Sequence, residues 1–342
     1  MNKQSKATCL ALDIGGANIK AAHTTSVPLT RPFAVWKHPD LLVEALRGIA
    51  QDMPPFDILA LTMTAELCDC FESKAAGVRH VLSAVEPLTP SDHIYIWGID
   101  GRFDCVDTTR KNPLRAASAN WLALATAVGL VLATSETLLI DIGSTTTDLI
   151  PLRGGKPAAR GRTDLERLTT GELVYLGVDR TPLCAVMPQI SLRGRPVHLA
   201  AEFFATTRDV FTILGQTPTD AADTNSADGR PFTMHAAQAR LARMLCADQH
   251  AFSEAEILDL ALQFAQHIES RLIQAAIQAC APGPPPNSAV VAGSGSFLAE
   301  RVARGLRCDS IFHLDRMWGK HASVAACAHA LLRLVESFGI TQ

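Results

Sequence analysis

The sequence lacks the features that would assign it to several common classes of protein. Its formal net charge is only −3, so nothing indicates a nucleic-acid partner or an anionic membrane surface. The nine cysteines are odd in number and follow no framework spacing, which favours core thiols over a disulfide framework. The longest apolar stretch, residues 121–134, is too short to span a bilayer and contains Thr126 and Gly129.

The start of the chain also lacks a recognisable secretory signal. Residues 1–6 are polar and lead directly into a short apolar segment. Together with the cysteine pattern, this predicts a cytoplasmic location.

What the sequence does contain is enough apolar material for two α/β domains. A chain of 342 residues usually forms more than one domain, and 48% hydrophobic residues can fill large cores. Short apolar strands come first and then alternate with helical patterns, as in an α/β fold. We predict an N-terminal domain over 1–135 and a C-terminal domain over 136–342, with an insertion near 153–232.

One loop occurs twice at domain scale. The segment LALDIGGANIK (10–20) is matched by LLIDIGSTTTD (138–148), so that Asp13 aligns with Asp141 and Gly15 with Gly143. Each copy is an apolar strand followed by an aspartate and a turn of small residues. A third turn of small residues, 293–296, separates a late apolar strand from a helical pattern.

These loops have the chemistry of a phosphate and metal site. A strand that ends in Asp-x-Gly presents a carboxylate beside backbone N–H groups that can face an anion. Carboxylates suit Mg²⁺, and a helix N-terminus suits an anion. A single Asp-Gly turn is usually a hairpin, but the repetition favours a functional site. The predicted phosphate-binding residues are Gly15, Gly16, Lys20, Gly143, Ser144, Thr145, Thr146, Gly293, Ser294 and Gly295. The predicted magnesium ligands are Asp13, Asp141 and Asp148. For Lys20, a role as a solvated strand residue is an equally good interpretation.

In this order the three loops resemble the phosphate-1, phosphate-2 and adenosine motifs of the actin/Hsp70/sugar-kinase superfamily. Within it, the chain resembles the hydantoinase/oxoprolinase-like proteins linked to tetrahydromethanopterin-dependent one-carbon transfer. The narrower resemblance is carried by TMTAELCDCF (62–71), DGRF (100–103), NW (120–121), DIGSTTTD (141–148), GRTD (161–164) and GELVY (171–175).

The resemblance implies two ribonuclease-H-like domains with the site in the cleft between them. It also implies a transferase of methanofuran or methylofuran biosynthesis. Such an enzyme joins a furanmethyl diphosphate to a (glutamyl)tyramine- or tyrosine-type phenol, forms an ether and releases diphosphate. The expected partners are therefore these small molecules, with no nucleic acid and no membrane, and a homodimer is left open.

This reaction needs a base near the phenol and groups that hold the substrate's polar ends. Glu66, Asp69 and Glu172 are candidate bases because each follows a strand or turn. Arg162 and Asp164 are candidates for holding an amine or a carboxylate. A structural salt bridge or a surface role fits each of these five residues about as well.

Two other classes of function remain open at this stage. The same loops would serve an ATP-dependent kinase or an oxoprolinase- or hydantoinase-like enzyme. ATP is therefore a possible ligand besides Mg²⁺, but we do not favour it. A non-catalytic assembly protein of the actin type ranks last, because nothing in the composition indicates a polymer interface.

Overall fold

The computed structural model describes residues 7–132 and 136–340. The strands are β1 (Cys9–Ile14), β2 (Asn18–His23), β3 (Ser26–Pro32), β4 (Ile58–Met63), β5 (Ile94–Trp97), β6 (Phe103–Asp104), β7 (Thr137–Ile142), β8 (Thr147–Arg153), β9 (Lys156–Pro157), β10 (Leu173–Val174), β11 (Gln189–Leu192), β12 (Arg195–His198), β13 (Ser288–Ala292) and β14 (Ser310–His313). The α-helices are α1 (Leu42–Asp52), α2 (Lys74–Val85), α3 (Val106–Lys111), α4 (Asn120–Gly129), α5 (Asp164–Thr170), α6 (Thr207–Ile213), α7 (Met234–Arg243), α8 (Glu254–Cys280), α9 (Ser296–Gly305), α10 (Leu314–Trp318), α11 (Lys320–Val324) and α12 (Ala326–Ser337).

The first compact unit is built on a mixed six-stranded sheet in the order β3-β2-β1-β4-β5-β6. β1 pairs antiparallel with β2 and parallel with β4, and β4 pairs parallel with β5. Every residue of β1 and β4 is buried, as expected for central strands covered on both faces. Because β1 and β4 run in parallel, the loops after Ile14 and Met63 leave the sheet at the same edge.

The second compact unit contains a sheet in the order β10-β8-β7-β13-β14, with β9 pairing with the end of β8. Its core is formed by the strands and by the buried face of the long helix α8, including Leu260, Phe264, Ile268 and Leu272. Ser253 caps α8 in a capping box with Glu256, which fixes where this helix begins.

The strand order identifies the fold class. Taking the strands of each main sheet in chain order, and leaving out β6 and β9, both sheets read third-second-first-fourth-fifth. This is the arrangement of a ribonuclease-H-like domain, and it occurs twice in the chain. The predicted α/β class with two ribonuclease-H-like domains is confirmed.

The two compact units are not consecutive pieces of the chain. The first contains 1–137, 150–169 and 312–342, and the second contains 138–149 and 170–311. This division differs from the predicted boundary between residues 135 and 136. Residue 135 itself lies outside the described residues. The C-terminal segment belongs to the first unit because α12 packs on α4, β1, β2 and β4. The ring of Phe338 meets Trp97 and Phe103 edge-on, with centroids 5.9 and 5.8 Å apart.

Residues 113–130 have a helical pattern in the sequence but do not form one continuous helix. Pro113–Arg115 is a short 3₁₀ turn, and α4 starts only at Asn120. Between them Ser118 has a φ of +50°, a left-handed conformation that cannot continue a right-handed helix. The break turns the Ser118 side chain towards two carboxylates, described below.

None of the helices in the described part of the chain is both long enough and apolar enough to cross a membrane.

Candidate active site

The loop after β1 is a tight turn that only small residues allow. The N–H of Gly15 donates to the carbonyl of Asn18 at 3.0 Å. A Cβ on Gly15 would lie 3.0 Å from that same oxygen, and one on Gly16 would lie 3.0 Å from Cys68 Sγ. The two glycines therefore let the turn fold against the segment that follows β4.

Asp13 is a buried carboxylate with an unsatisfied oxygen. Its side chain is 5% exposed, and its Oδ1 has no hydrogen-bond partner in the part of the chain that the structure describes. Burial raises the pKa of Asp13, and the charge of Lys20 opposes that rise. Lys20 lies opposite Asp13 on β2, and Thr62 lies beside it on β4 with its own hydroxyl unsatisfied. Two adjacent buried oxygens without partners are typical of a place that receives a ligand or an ordered water.

Glu66 lies in a short 3₁₀ turn, Ala65–Leu67, directly after β4. Its side chain is 1% exposed. Burial raises the pKa of Glu66 to about 7, and the hydrogen bond from Ser118 and the charge of Lys74 limit that rise. A carboxylate with a pKa near neutrality is suited to accept and release a proton at physiological pH. Of the three predicted base candidates, Glu66 has the electrostatics of a base.

A connected set of polar side chains surrounds Glu66, all within the first unit. Ser118 Oγ lies 2.7 Å from Glu66 Oε1 and 2.8 Å from Asp164 Oδ2. Asp164 is held in turn by Lys74, whose Nζ lies 2.6 Å from the same Oδ2. None of the described residues forms a hydrogen bond with Glu66 Oε2. The structure thus brings together Glu66, a candidate base, and Asp164, a candidate for holding the substrate.

The second unit brings the second and third loops into contact. The N–H of Gly143 donates to the carbonyl of Thr146 at 2.9 Å, which closes the turn after β7. Gly293 has a φ of +82°, and a Cβ there would meet the carbonyl of Ile142 and lie 2.5 Å from Asp141 Oδ1. The N–H of Gly295 donates to Ile142 O at 2.9 Å. Asp141, the turn 143–146 and the turn 293–295 at the start of α9 therefore form one cluster.

The remaining predicted residues have more varied surroundings. Asp148 is half-buried on β8 and faces Leu173 across the β10 ladder. Glu172 is fully buried, and its backbone carbonyl accepts a hydrogen bond from Leu149 N–H. Asp69 is exposed. Arg162 is also exposed, and its backbone N–H donates a hydrogen bond to Glu166 Oε2 at 2.8 Å.

Metal binding by protein side chains alone finds no support. Among residues 7–132 and 136–340, no group of three or more His, Cys, Asp or Glu side chains is arranged to hold a metal ion. Mg²⁺, however, usually takes one or two carboxylates and completes its shell with water and phosphate oxygens. The unpartnered Oδ1 of Asp13 fits such a hydrated ion.

Three contributors to this site were not singled out from the sequence. Thr62 carried a local signal, because it precedes the Glu66 turn within the 62–71 motif. Ser118 and Lys74 carried none, since Ser118 lies 46 residues from Asp164 and Lys74 lies 90 residues from it. Only the folded chain reveals these pairings.

Comparison with known proteins gives consistent results at the level of family and fold. The hydantoinase/oxoprolinase family matches residues 57–335. A Methanocaldococcus jannaschii protein is 31% identical over 97% of this chain and 98% of its own length, and it is named (4-{4-[2-(gamma-L-glutamylamino)ethyl]phenoxymethyl}furan-2-yl)methanamine synthase. A Methanococcus vannielii protein of the same name is 35% identical over 37% of this chain and 57% of its own length. Among solved structures, nucleotide-free acetone carboxylase aligns with a TM-score of 0.54 at 9% identity, over 90% of this chain and 68% of that one.

Proposed function

We propose that this chain, which belongs to the hydantoinase/oxoprolinase family, is a synthase that joins a phenol to a furan-bearing CH₂ group through an ether bond. The observation that carries the proposal is the similarity to the Methanocaldococcus jannaschii synthase, which extends over nearly the whole of both chains. That relative's name describes a phenoxymethyl furan carrying a methanamine group. The acceptor would be a (glutamyl)tyramine- or tyrosine-type phenol.

In the proposed reaction the bond between the CH₂ carbon and the diphosphate oxygen breaks, and a bond from that carbon to the phenol oxygen forms. The phenol loses its proton, and the diphosphate leaves with the bonding electron pair. The electron-rich furan stabilises positive charge on the CH₂ carbon, so departure of the diphosphate can run ahead of attack. The protein then has two tasks: to accept the phenol proton and to stabilise charge on the leaving group.

Glu66 is the proposed base. Its pKa of about 7 leaves it substantially ionised at neutral pH, yet basic enough to take a proton from a phenol as the ether bond forms. Its Oε2 has no partner in residues 7–132 and 136–340 and is therefore the oxygen we assign to the phenol. Asp69 is exposed, and we do not assign it this role. Glu172 stays a second candidate in the other unit.

The glycine-rich turns are the proposed phosphate-binding elements. Gly15, Gly16 and Lys20 would act in the first unit, and residues 143–146 and 293–295 in the second. Each would supply fixed N–H donors or a cation where negative charge grows, and removing one such donor in other enzymes costs about 3 kcal/mol. Arg162 and Asp164 stay proposals for the polar ends of the substrate.

Mg²⁺ is the proposed cofactor, and it would supply positive charge to the diphosphate oxygens. Asp13 in the first unit, and Asp141 and Asp148 in the second, are the residues proposed to hold it directly or through water. For Asp13 the support is the buried oxygen that no protein group satisfies. The other two aspartates rest on their place in the repeated loop.

Incubation with the furanmethyl diphosphate, a glutamyltyramine-type phenol and Mg²⁺, without nucleotide, tests the proposal. Mass spectrometry should detect the ether, and phosphate analysis should detect one diphosphate per ether. EDTA should stop turnover, and added Mg²⁺ should restore it. Ether formation that depends on ATP would instead favour the kinase or oxoprolinase-like alternative, and no ether under either condition would overturn the proposal.

A further inference from the structure

Three oxygen atoms in the first unit form a chain with one proton too few. Ser118 Oγ is within hydrogen-bond distance of both Glu66 Oε1 and Asp164 Oδ2, at 2.7 and 2.8 Å. A serine hydroxyl has a single proton to donate. It can satisfy one carboxylate at a time, so a hydrogen bond at the other short contact needs a proton on that carboxyl group. Once Glu66 has taken up a proton, the three oxygens therefore have two arrangements that differ in which carboxyl group is protonated.

The two ends of this chain differ in their access to water. Glu66 is 1% exposed, and its Oε2 has no hydrogen-bond partner among the described residues. The Asp164 side chain is 16% exposed, and Lys74, which binds it, is 31% exposed. Ser118 itself is 8% exposed. The hydroxyl of Ser118 is thus the connection between a buried carboxyl group and one that reaches solvent.

The backbone at Ser118 holds the hydroxyl in this bridging position. Its φ of +50° is sparsely populated for residues other than glycine, asparagine and aspartate. Such a conformation persists only where surrounding structure maintains it, and it is concentrated at functional sites. Here it interrupts the segment between the 3₁₀ turn Pro113–Arg115 and α4 and leaves Ser118 between the two carboxylates.

We propose that Ser118 is a positioning residue that passes the proton from Glu66 to Asp164, and so returns Glu66 to its ionised form after each turnover. The proposal rests on the proposed function, because it assigns the exit route of the phenol proton. It extends that function by naming two residues, Ser118 and Asp164, that act without touching the reacting atoms.

The step balances in protons. After the ether bond forms, Glu66 carries the phenol proton. Rotation of the carboxyl group about its Cγ–Cδ bond brings the protonated oxygen to Ser118. This O–H then donates its proton to Ser118 Oγ while the Ser118 hydroxyl proton moves to Asp164 Oδ2. Asp164 then releases a proton to water, and the ammonium group of Lys74 favours that release because it stabilises the ionised carboxylate. The transfer leaves the Ser118 hydroxyl directed at the ionised Glu66, which is the starting state, and the hydroxyl turns towards Asp164 again only when Glu66 is next protonated. The protein undergoes no net change.

Ser118→Gly is the central test variant. Glycine accepts the left-handed backbone without strain, so the change removes the hydroxyl and leaves the local conformation intact. We expect kcat to fall by about 100-fold, at the lower end of the range that proton-transfer groups contribute. Ser83→Ala is the matched control: its hydroxyl is exposed and bonds only backbone and an arginine near the α2 C-terminus. The control should leave kcat unchanged.

Two further measurements separate proton transfer from a structural role. Small buffer acids and bases such as imidazole should raise the kcat of Ser118→Gly in proportion to their concentration, and should leave the wild type unchanged. Asp164→Asn should lower kcat to a similar extent, and the double variant should be no slower than either single variant, because both changes interrupt one path. A folded Ser118→Gly protein with wild-type kcat and no buffer response overturns the proposal, as does additivity in the double variant.

Failure of the relay and failure of the proposed function give different results. If the wild type forms no ether, the proposed function is wrong, and the relay can still be examined by following the Glu66 carboxyl carbon by NMR. Loss of the Ser118 hydrogen bond should raise the pKa of Glu66 measured in this way. An unchanged Glu66 titration in Ser118→Gly would show that the hydroxyl does not serve Glu66, and would remove the basis of the relay.

Discussion

At the scale of single residues, the proposed reaction depends on Glu66, whose carboxyl group the fold holds almost out of contact with water. Its burial is partly offset by Ser118 and Lys74, and the result is a pKa of about 7. The exposed Asp69 is three positions away in the same motif and lacks this burial. Proximity along the sequence therefore does not distinguish these two carboxylates, whereas burial does.

The pKa of Glu66 makes a prediction about stability that is independent of activity. Between pH 4.5 and about 7 the folded protein holds this proton more tightly than the unfolded chain does. The Glu66 contribution to the free energy of unfolding therefore falls as pH rises through this window and is constant above it. Glu66→Gln removes the effect. In thermal melts, its Tm relative to wild type should be higher at pH 8 than at pH 4.5, and an equal difference at both pH values would contradict the raised pKa.

The same group sets the expected pH dependence of catalysis. Since the base acts only when ionised, kcat/KM of the wild type should rise with pH through about 7 and then level off. Glu66→Gln should lose this limb and lower kcat/KM by about 100-fold or more. Glu72→Gln changes an exposed carboxylate in the neighbouring loop and should retain the wild-type profile. Retention of the limb in Glu66→Gln would assign the base to another residue.

At the scale of elements, the turn after β13 packs so closely on the end of β7 that position 293 has no room for a side chain. Gly293→Ala would add a Cβ 2.5 Å from Asp141 Oδ1, at a φ of +82°. We expect backbone strain of about 1–2 kcal/mol and a further overpacking cost of about 1–3 kcal/mol. Gly319→Ala is the matched control, because its φ is +89° and the Cβ would meet nothing within 4 Å. Urea unfolding should show a clearly larger loss for Gly293→Ala, and equal losses would mean that the close approach is unimportant.

A second element-scale prediction concerns a buried ion pair between α6 and α7. Arg240 is fully buried and donates to Asp209 at 2.7 Å, and it also reaches Asp228 at 3.0 Å. Arg240→Met would leave Asp209 buried without its partner, so we expect a loss of about 3–5 kcal/mol in the free energy of unfolding. The exposed pair of Arg304 and Glu300 provides the comparison, and Arg304→Met should change stability little. Calorimetry that shows similar small effects for both would contradict the structural role of Arg240.

The sequence predicts local elements well and long-range pairings poorly. The turns after Asp13 and Asp141 are each determined by a few adjacent residues, so the sequence predicts their position and their need for glycine. Residues 113–130 look like one helix because their apolar spacing is continuous. The break at Ser118 depends on contacts with Glu66 and Asp164, 52 and 46 residues away, which no local pattern encodes.

At the scale of the whole molecule, two units of the same strand order carry loops of the same design. The chain visits the first unit three times and the second twice, so a single boundary does not divide it. The return of α12 to the first unit follows from its buried apolar face, which includes Leu331, Leu334 and Val335. A sequence reading treats the C-terminal helix as part of the domain that precedes it, and only packing reveals its partner.

The repeated design predicts that each unit contributes to turnover. Asp141→Asn changes one carboxylate of the second unit without changing its size, and we expect ether formation and diphosphate release to fall together to background. The Tm should stay close to that of the wild type, because Asp141 is half-buried at the end of its strand. Full activity in Asp141→Asn would remove the second loop from the proposed phosphate site.

In the proposed reaction the phenol oxygen attacks the CH₂ carbon and diphosphate leaves intact. A phenol acceptor labelled with ¹⁸O, in a reaction with the furanmethyl diphosphate and Mg²⁺, tests this bond cleavage. We expect the ether to carry the whole of the label and the released diphosphate to carry none. Label recovered in phosphate, or an ether without label, would show that the phenol oxygen is the one that leaves, and the proposed reaction would then be wrong.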